Sequence, residues 1–318
     1  MDEQRLDRQL RIEGWNQQSL ENTSVAVLAD NDVGHFFSAS AAALGVNKIR
    51  GLIQPRKTNI DTALIARAIH PNVDLQTLPT PCVNKALYEY LGNPAILIDL
   101  NGFAMSKKMS LEWIFDNSAS GVLALANKET FKMYGYEKGR ENELLHDVLP
   151  SNQLPKTYKV DPLLYVIGAG LILEEVKNKV MGLPFSPEVI EYRSAHVAKG
   201  DYKDKKILMI GAGALGNFVG LSLALLGVDS VEIIDPDSIE QANLNRQILF
   251  YDSIGGDKAE VLARRMAPHV TAVKGTVHEF SKDDSVKGYD VVFDCVDNFE
   301  VRETISDVCE KEGIPLIS

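Results

Sequence analysis

The chain has 318 residues, 45% hydrophobic and 24% charged, with a formal net charge of −11. The acidic excess argues against broad binding to nucleic-acid phosphates, which takes surplus Lys and Arg, and the length suits two domains, each with its own core. Cys82, Cys295 and Cys309 are too few for a disulfide framework and form no C-x-x-C pair for zinc; a reducing, cytoplasmic setting is expected, and no apolar run is long enough to span a membrane.

The N-terminal stretch RLDRQLRIEGW is charged and lacks the apolar centre of a secretory leader. Next comes VAVLADNDVGHFF, Val25 to Phe37, which reads as a strand, a turn and a helix of small residues opened by Gly34. It has the frame of a nucleotide-binding turn without its chemistry. Ala29 and Asn31 stand where glycines are wanted, and Asp30 and Asp32 put negative charge where a phosphate would sit.

That stretch is repeated. Val25 to Ile53 aligns without a gap to Ile207 to Asp235, at an offset of 182 positions, with seven of 29 residues identical. Roughly two identities would be expected at ordinary residue frequencies, so a duplication is inferred. In chain order, AILIDLNG (Ala95 to Gly102) and GVLALA (Gly121 to Ala126) read as strands of the first half. PLLYVIGAGLILEEV reads as a buried helix, and LPFSPEVIEYRSAHVAKGDYK as an irregular linker, with the boundary near residue 195. In the second half, DVVFDCVDN (Asp290 to Asn298) and GIPLIS (Gly313 to Ser318) are the matching strands. Alternating strands and helices predict an α/β chain of two Rossmann-like, doubly wound, mostly parallel sheets. The second half stops directly after a strand, so a fragment truncated at its C-terminus is expected.

The second copy keeps the site. GAGALG, Gly211 to Gly216, follows the strand KILMI and opens a helix. Gly211 permits the turn, Gly213 lets backbone approach a phosphate, and Gly216 lets helix and strand pack closely. The helix N-terminus offers unpaired N–H groups to phosphate oxygens, and Asp235 ends the next strand, where a carboxylate can hold a ribose. Alone, this motif does not separate NAD from ATP. The segment DPDSIEQANLNRQ that starts at Asp235, with Lys258 beyond it, favours a triphosphate: Arg246 can grip oxygens in pairs and Lys258 acts as a mobile charge. Asp297, at the carboxyl end of a strand, is the best carboxylate for Mg²⁺, its alternative role being to cap the following helix.

GAGALG, DPDSIEQANLNRQ, Lys258 and DCVDN with Arg302 together resemble the ThiF/MoeB/HesA superfamily, the adenylating core of ubiquitin-activating enzymes. The resemblance implies MgATP-dependent adenylation of the C-terminal glycine carboxylate of a ubiquitin-like or sulfur-carrier protein ending in Gly-Gly, with release of pyrophosphate. It implies a nucleotide site of Gly211, Ala212, Gly213, Gly216, Asp235, Asp237, Asn243, Asn245, Arg246, Gln247, Lys258, Asp297 and Asn298, with Asp297 as metal ligand. The resemblance implies that Arg246, Lys258 and Asp297 would carry catalysis, joined by Arg8, because RLDRQ resembles the family's leading helix, whose arginine enters a partner's nucleotide site.

The first half resembles the inactive adenylation domain of such enzymes, residues 1–195, fused ahead of the active one, residues 196–318, as a pseudo-dimer. Further homo-oligomerisation is open, and no membrane or nucleic-acid partner is expected. The three cysteines are expected to be structural. Three other readings stay open: an NAD-dependent Rossmann oxidoreductase, a non-catalytic scaffold, and adenylation of a small molecule, tRNA base or short peptide. The site residues predict that MgATP raises the melting temperature and NAD does not; a thermal-shift comparison of the two ligands checks this.

Overall fold

The computed structural model describes residues 3–81, 84–139, 143–155, 160–194 and 204–318. The chain divides into two compact units. The first is Leu6–Val197; the second is Ala198–Ser318 together with Met1–Arg5.

The first unit contains most of helix α1 (Glu3–Leu10) and α2 (Gln17–Asn22), followed by an alternating series. The series runs β1 (Ser24–Ala29), α3 (Val33–Leu44), β2 (Lys48–Ile53), α4 (Thr62–Ile69), β3 (Asp74–Leu78), α5 (Leu87–Leu91), β4 (Ile96–Asp99), α6 (Ala104–Asn117) and β5 (Ser120–Asn127). Then come β6 (Thr130–Glu137), α7 (Leu163–Val180) and β7 (Ile190–Arg193). The strand order is β3-β2-β1-β4-β5-β6-β7, parallel through β5 and antiparallel beyond it. The segment expected to be an irregular linker is therefore partly a strand. Ile190–Arg193 pairs with β6, and Phe185 lies so close to Gly135 that a Cβ there would stand 2.6 Å from its own.

The second unit contains β8 (Lys206–Ile210), α8 (Ala214–Leu226), β9 (Ser230–Ile234), α9 (Lys258–Met266), β10 (Ala272–Thr276), β11 (Val291–Asp294), α10 (Phe299–Glu312) and β12 (Leu316–Ile317). Its all-parallel order, β10-β9-β8-β11-β12, is that of β3-β2-β1-β4-β5. The register agrees as well. Ser24 pairs with Lys48 in one sheet and Lys206 with Ser230 in the other, both residues shifted by 182. The duplication seen in the sequence is thus a duplication of topology.

Local chemistry explains the shared parts. Val25–Ala29 and Ile207–Ile210 are unbroken apolar runs buried on both faces, as central parallel strands must be. The helices that follow both stop at a left-handed glycine, Gly45 (φ 111°) and Gly227 (φ 71°), which close the last carbonyls without the steric penalty a Cβ would bring.

The first unit also encloses a polar knot. Asp99, at the end of β4, and Lys107, on α6, are both fully buried. The Lys107 ammonium donates to Asp99 Oδ1 at 3.1 Å, to the Ala124 carbonyl at 2.6 Å and to the Asp99 carbonyl. The second carboxylate oxygen accepts from Ser106 (2.9 Å) and Ser110 (2.7 Å). Burial pulls the ammonium below its usual range while Asp99 opposes it. Removing one member of such a pair leaves an uncompensated buried charge. Lys107→Met should therefore cost about 3–5 kcal/mol in the urea unfolding of the first unit, and adding Asp99→Asn should recover part of it.

Candidate nucleotide site

In the second unit the turn between β8 and α8 is shaped by three glycines with separate jobs. Gly211 has φ +97°, and a Cβ on it would lie 2.7 Å from the Cys295 carbonyl carbon and oxygen. A Cβ on Gly216 would overlap the Gly211 carbonyl, which is the close helix–strand contact. Gly213 caps α8 with no side-chain hydrogen bond, and a Cβ there would meet nothing within 4 Å. Its open side faces the first turn of an uncapped helix, the geometry that receives an anion.

Asp235 braces this turn. It is buried, and its Oδ2 accepts from the Ala212 N–H at 2.6 Å while Oδ1 accepts from the Asp237 N–H at 2.8 Å. Burial pushes its carboxyl up from the ordinary carboxylate range, against the pull of those two N–H groups. Each oxygen keeps a second lone pair for a ligand hydroxyl. Lys258 opens α9, with its side chain 10% exposed and its ammonium 2.7 Å from Asp237 Oδ2.

The loop after β9 folds on itself. Asn243 is buried, and its Oδ1 accepts from the Glu240 N–H at 2.9 Å, capping a short 3₁₀ turn. Arg246 donates to the Ala242 carbonyl at 2.7 Å and to Asn245 Oδ1 at 2.8 Å. Gln247 is buried, and its Oε1 has no hydrogen-bond partner among the described residues. An orphaned acceptor of this kind calls for a donor, from a ligand or from water. Sequence reasoning passed over Asn217, which is 1% exposed. Its amide donates to the Ala212 carbonyl at 3.3 Å and accepts from the Leu249 N–H at 3.0 Å, tying the glycine turn to the Arg246–Gln247 loop. The available signal was a lone Asn directly after Gly216 in a helix otherwise apolar but for Ser222.

At the end of β11, Asn298 rather than Asp297 caps α10, accepting from the N–H groups of Glu300 (2.9 Å) and Val301 (3.3 Å). The capping alternative for Asp297 is therefore removed. Asp297 is exposed and has no polar partner among the described residues. Among those residues no cluster of three or more His, Cys, Asp or Glu could hold a metal by itself. A single free carboxylate on the loop against which the glycine turn packs would suit Mg²⁺ accompanying a phosphate ligand, since that ion takes one or two carboxylates and completes its shell with phosphate oxygens and water. Cys295 lies just past the strand rather than within it, and burial pushes its thiol up to about 12. Cys309 is buried on α10 and its thiol is likewise raised; Cys82 lies outside the described residues. On α1, Arg8 is exposed, while Arg5 is the buried arginine.

The equivalent turn of the first unit is filled by its own side chains. Asp32 accepts from the N–H groups of Lys57 (3.0 Å) and Thr58 (2.8 Å), and Asp30 from that of Gly102 (2.7 Å). Asn31 donates to the Leu100 carbonyl at 3.1 Å and accepts from the Val33 N–H at 3.1 Å. Burial raises the Asp30 carboxyl. Gly34 keeps its packing role, since a Cβ there would lie 2.6 Å from that of Ala29.

Residues 195–318 match the ThiF family, so the chain carries a ThiF-family domain and its second unit belongs to the ThiF/MoeB superfamily. The chain is 38% identical over 122 residues to adenylyltransferase and sulfurtransferase MOCS3 of Caenorhabditis briggsae, covering 36% of this chain and 30% of that protein. It is 34% identical over 139 residues to the SAMP-activating enzyme E1 of Haloferax volcanii, covering 42% and 52%. The chain thus spans from less than a third to about half the length of these relatives. A solved E. coli tRNA N6-threonylcarbamoyladenosine dehydratase, TcdA, in complex with ATP superposes with a TM-score of 0.34 at 29% identity, over 36% of this chain and 49% of that one.

The glycine geometry separates packing from ligand binding. Gly216→Ala should destabilise the second unit by about 1–3 kcal/mol through overpacking, whereas Gly213→Ala should leave stability close to that of the parent. Chemical denaturation of both variants checks this.

Proposed function

We propose that the second unit binds MgATP and transfers AMP to the C-terminal glycine carboxylate of a ubiquitin-like or sulfur-carrier protein, in a cytoplasmic setting. The observation that carries this reading is one crevice edge. An uncapped helix N-terminus opened by Gly213 packs, through Gly211, against the Cys295–Val296 peptide that leads to the free carboxylate of Asp297. The named relatives, an adenylyltransferase and an E1, support the same chemistry.

In the proposed step a glycine carboxylate oxygen attacks the α-phosphorus in line, the bond to the bridging oxygen breaks, and pyrophosphate leaves. The nucleophile is already ionised, so no general base is needed. Catalysis is positioning and charge neutralisation. The N–H groups at the start of α8 receive phosphate oxygens, and Asp235 holds the ribose with the lone pairs that the turn leaves free. Lys258, already ordered by Asp237, and Arg246, ordered by its own loop, supply positive charge. Mg²⁺ held by Asp297 would add charge neutralisation at the phosphates. Gln247, with its orphaned Oε1, and Asn243, Asn245 and Asn298 shape the pocket wall.

The first unit does not bind nucleotide in this reading. Asn31 already answers the Val33 N–H at the start of α3, and the charge of Asp30 and Asp32 beside it repels a triphosphate. We assign it as the inactive adenylation domain.

ATP–pyrophosphate exchange tests the reading. Exchange should require a carrier whose tail ends in Gly-Gly, and Asp297→Ala or Lys258→Ala should lower it by roughly 10²-fold or more, as losing a transition-state cation or its holder commonly does. Exchange supported by a small carboxylic acid instead of any carrier would move the substrate to the small-molecule class. No exchange, with nucleotide bound only at the first unit, would overturn the proposal.

A further inference from the structure

Asp297 is presented by a short stretch of backbone held at nearly every residue but its own. The Cys295 N–H donates to the Ile210 carbonyl at 2.8 Å, extending the ladder to β8. The Val296 N–H donates to Asp294 Oδ1 at 3.1 Å, and the Val296 carbonyl accepts from Arg302 Nη2 at 2.6 Å. Arg302 lies in the first turn of α10 and reaches back past the helix start to do this. Its Nε lies 3.2 Å from Asp294 Oδ2, the buried oxygen that also accepts from Ser318 at 2.8 Å. One arginine therefore ties the strand-end carboxylate to the peptide immediately before Asp297, with a fork that only a planar guanidinium offers.

The first unit supplies an internal comparison. Asp99 ends β4 as Asp294 ends β11, accepts from the N–H two residues on (Asn101, 2.9 Å), and pairs with a cation eight residues on, Lys107. There the cation is wholly buried and donates to the Asp99 and Ala124 carbonyls, reaching no loop peptide. The residue in the place of Asp297 is Gly102, which has no side chain to aim. In the second unit the cation is an arginine whose side chain is 41% exposed, and its second arm grips the loop. The strand-end pair is common to both units; the grip on the loop carbonyl occurs where there is a carboxylate to present.

We infer that Arg302 is a positioning residue for Asp297. By holding the Val296 carbonyl it sets the carboxylate against the glycine turn, and so tunes the affinity for the divalent cation that accompanies the nucleotide. This rests on the nucleotide reading of the site above. It differs from a purely structural role in a measurable way. A structural arginine protects the whole sheet; a positioning arginine acts on the Val296–Asn298 loop and on magnesium, and leaves metal-free nucleotide binding alone.

The test uses Arg302→Lys, which keeps the charge beside buried Asp294, and Asp294→Asn combined with Arg302→Gln, which removes both charges if the first variant folds poorly. ATP binding is measured calorimetrically in Mg²⁺ and in EDTA, and amide exchange is followed in the ligand-free protein. Both variants should bind ATP in EDTA within about twofold of the parent. They should lose about tenfold of the Mg²⁺-dependent gain, the scale on which outer contacts tune a metal ligand, and should exchange the Val296–Asn298 amides faster while β8 and β9 are unchanged. In an Asp297→Asn background, Arg302→Lys should have no further effect on the magnesium dependence. Unaltered magnesium dependence and loop exchange in both variants would overturn the inference. A parent that binds no nucleotide would overturn the site reading instead, and the exchange of the loop amides would still decide whether Arg302 holds it.

Discussion

A helix can leave the end of a buried strand at contact distance only where the facing residue lacks a side chain. This close approach governs both units. Gly216 packs on the Gly211 carbonyl and Gly34 on Ala29, at equivalent positions of the repeat. Each glycine brings its helix onto the central strand. A Cβ at either would push the helix away and disturb the sheet packing that buries β1 or β8 on both faces.

Given that shared constraint, the two turns diverge through one backbone angle and a few carboxylates. Gly211 takes φ +97°, whereas Ala29 does not enter the left-handed region, which its Cβ disfavours. The cross-link between turn and neighbouring loop also reverses. In the second unit an acid at the end of β9, Asp235, accepts from the turn; in the first an acid on the turn, Asp32, accepts from the loop after β2. The reversal places carboxylate density inside the first turn and leaves the second open at Gly213. At the start of α3 the Val33 N–H is answered by Asn31, whereas no side chain caps α8.

The polar groups around the second turn act less as independent contacts than as a bracing frame. Asp235 holds Ala212 and Asp237, Asp237 holds Lys258, Asn217 joins the turn to Leu249, and Arg302 joins Asp294 to Val296. Most of the residues that chemistry would single out are thus occupied in ordering one another, which restricts them before a ligand arrives. Asp297 stands apart from this frame.

The strand–turn–helix periodicity, the repeat at an offset of 182 and the glycine spacing were legible in the sequence because they are local: each follows from residues within one βαβ unit. That Gly213, Asp235 and Asp297 follow the carboxyl ends of the adjacent strands β8, β9 and β11 came from the same pattern, while Lys258 opens α9. The strand Ile190–Arg193 was not legible, because its pairing with β6 joins residues about sixty apart and its own composition is half charged. Nor could the sequence choose between Asp297 and Asn298 as the cap of α10, since either side chain can accept those N–H groups. Asn217 and Lys107 escaped, and Arg302 was noted without a role, for a related reason: a polar residue in a helix has no meaning until the partner across the fold is known. By itself the sequence determined two copies of one α/β unit, one with an intact and one with a degenerate turn. Only the tertiary structure decided which carboxylates are spent inside the fold and which is left exposed, because hydrogen bonds between distant segments set that assignment.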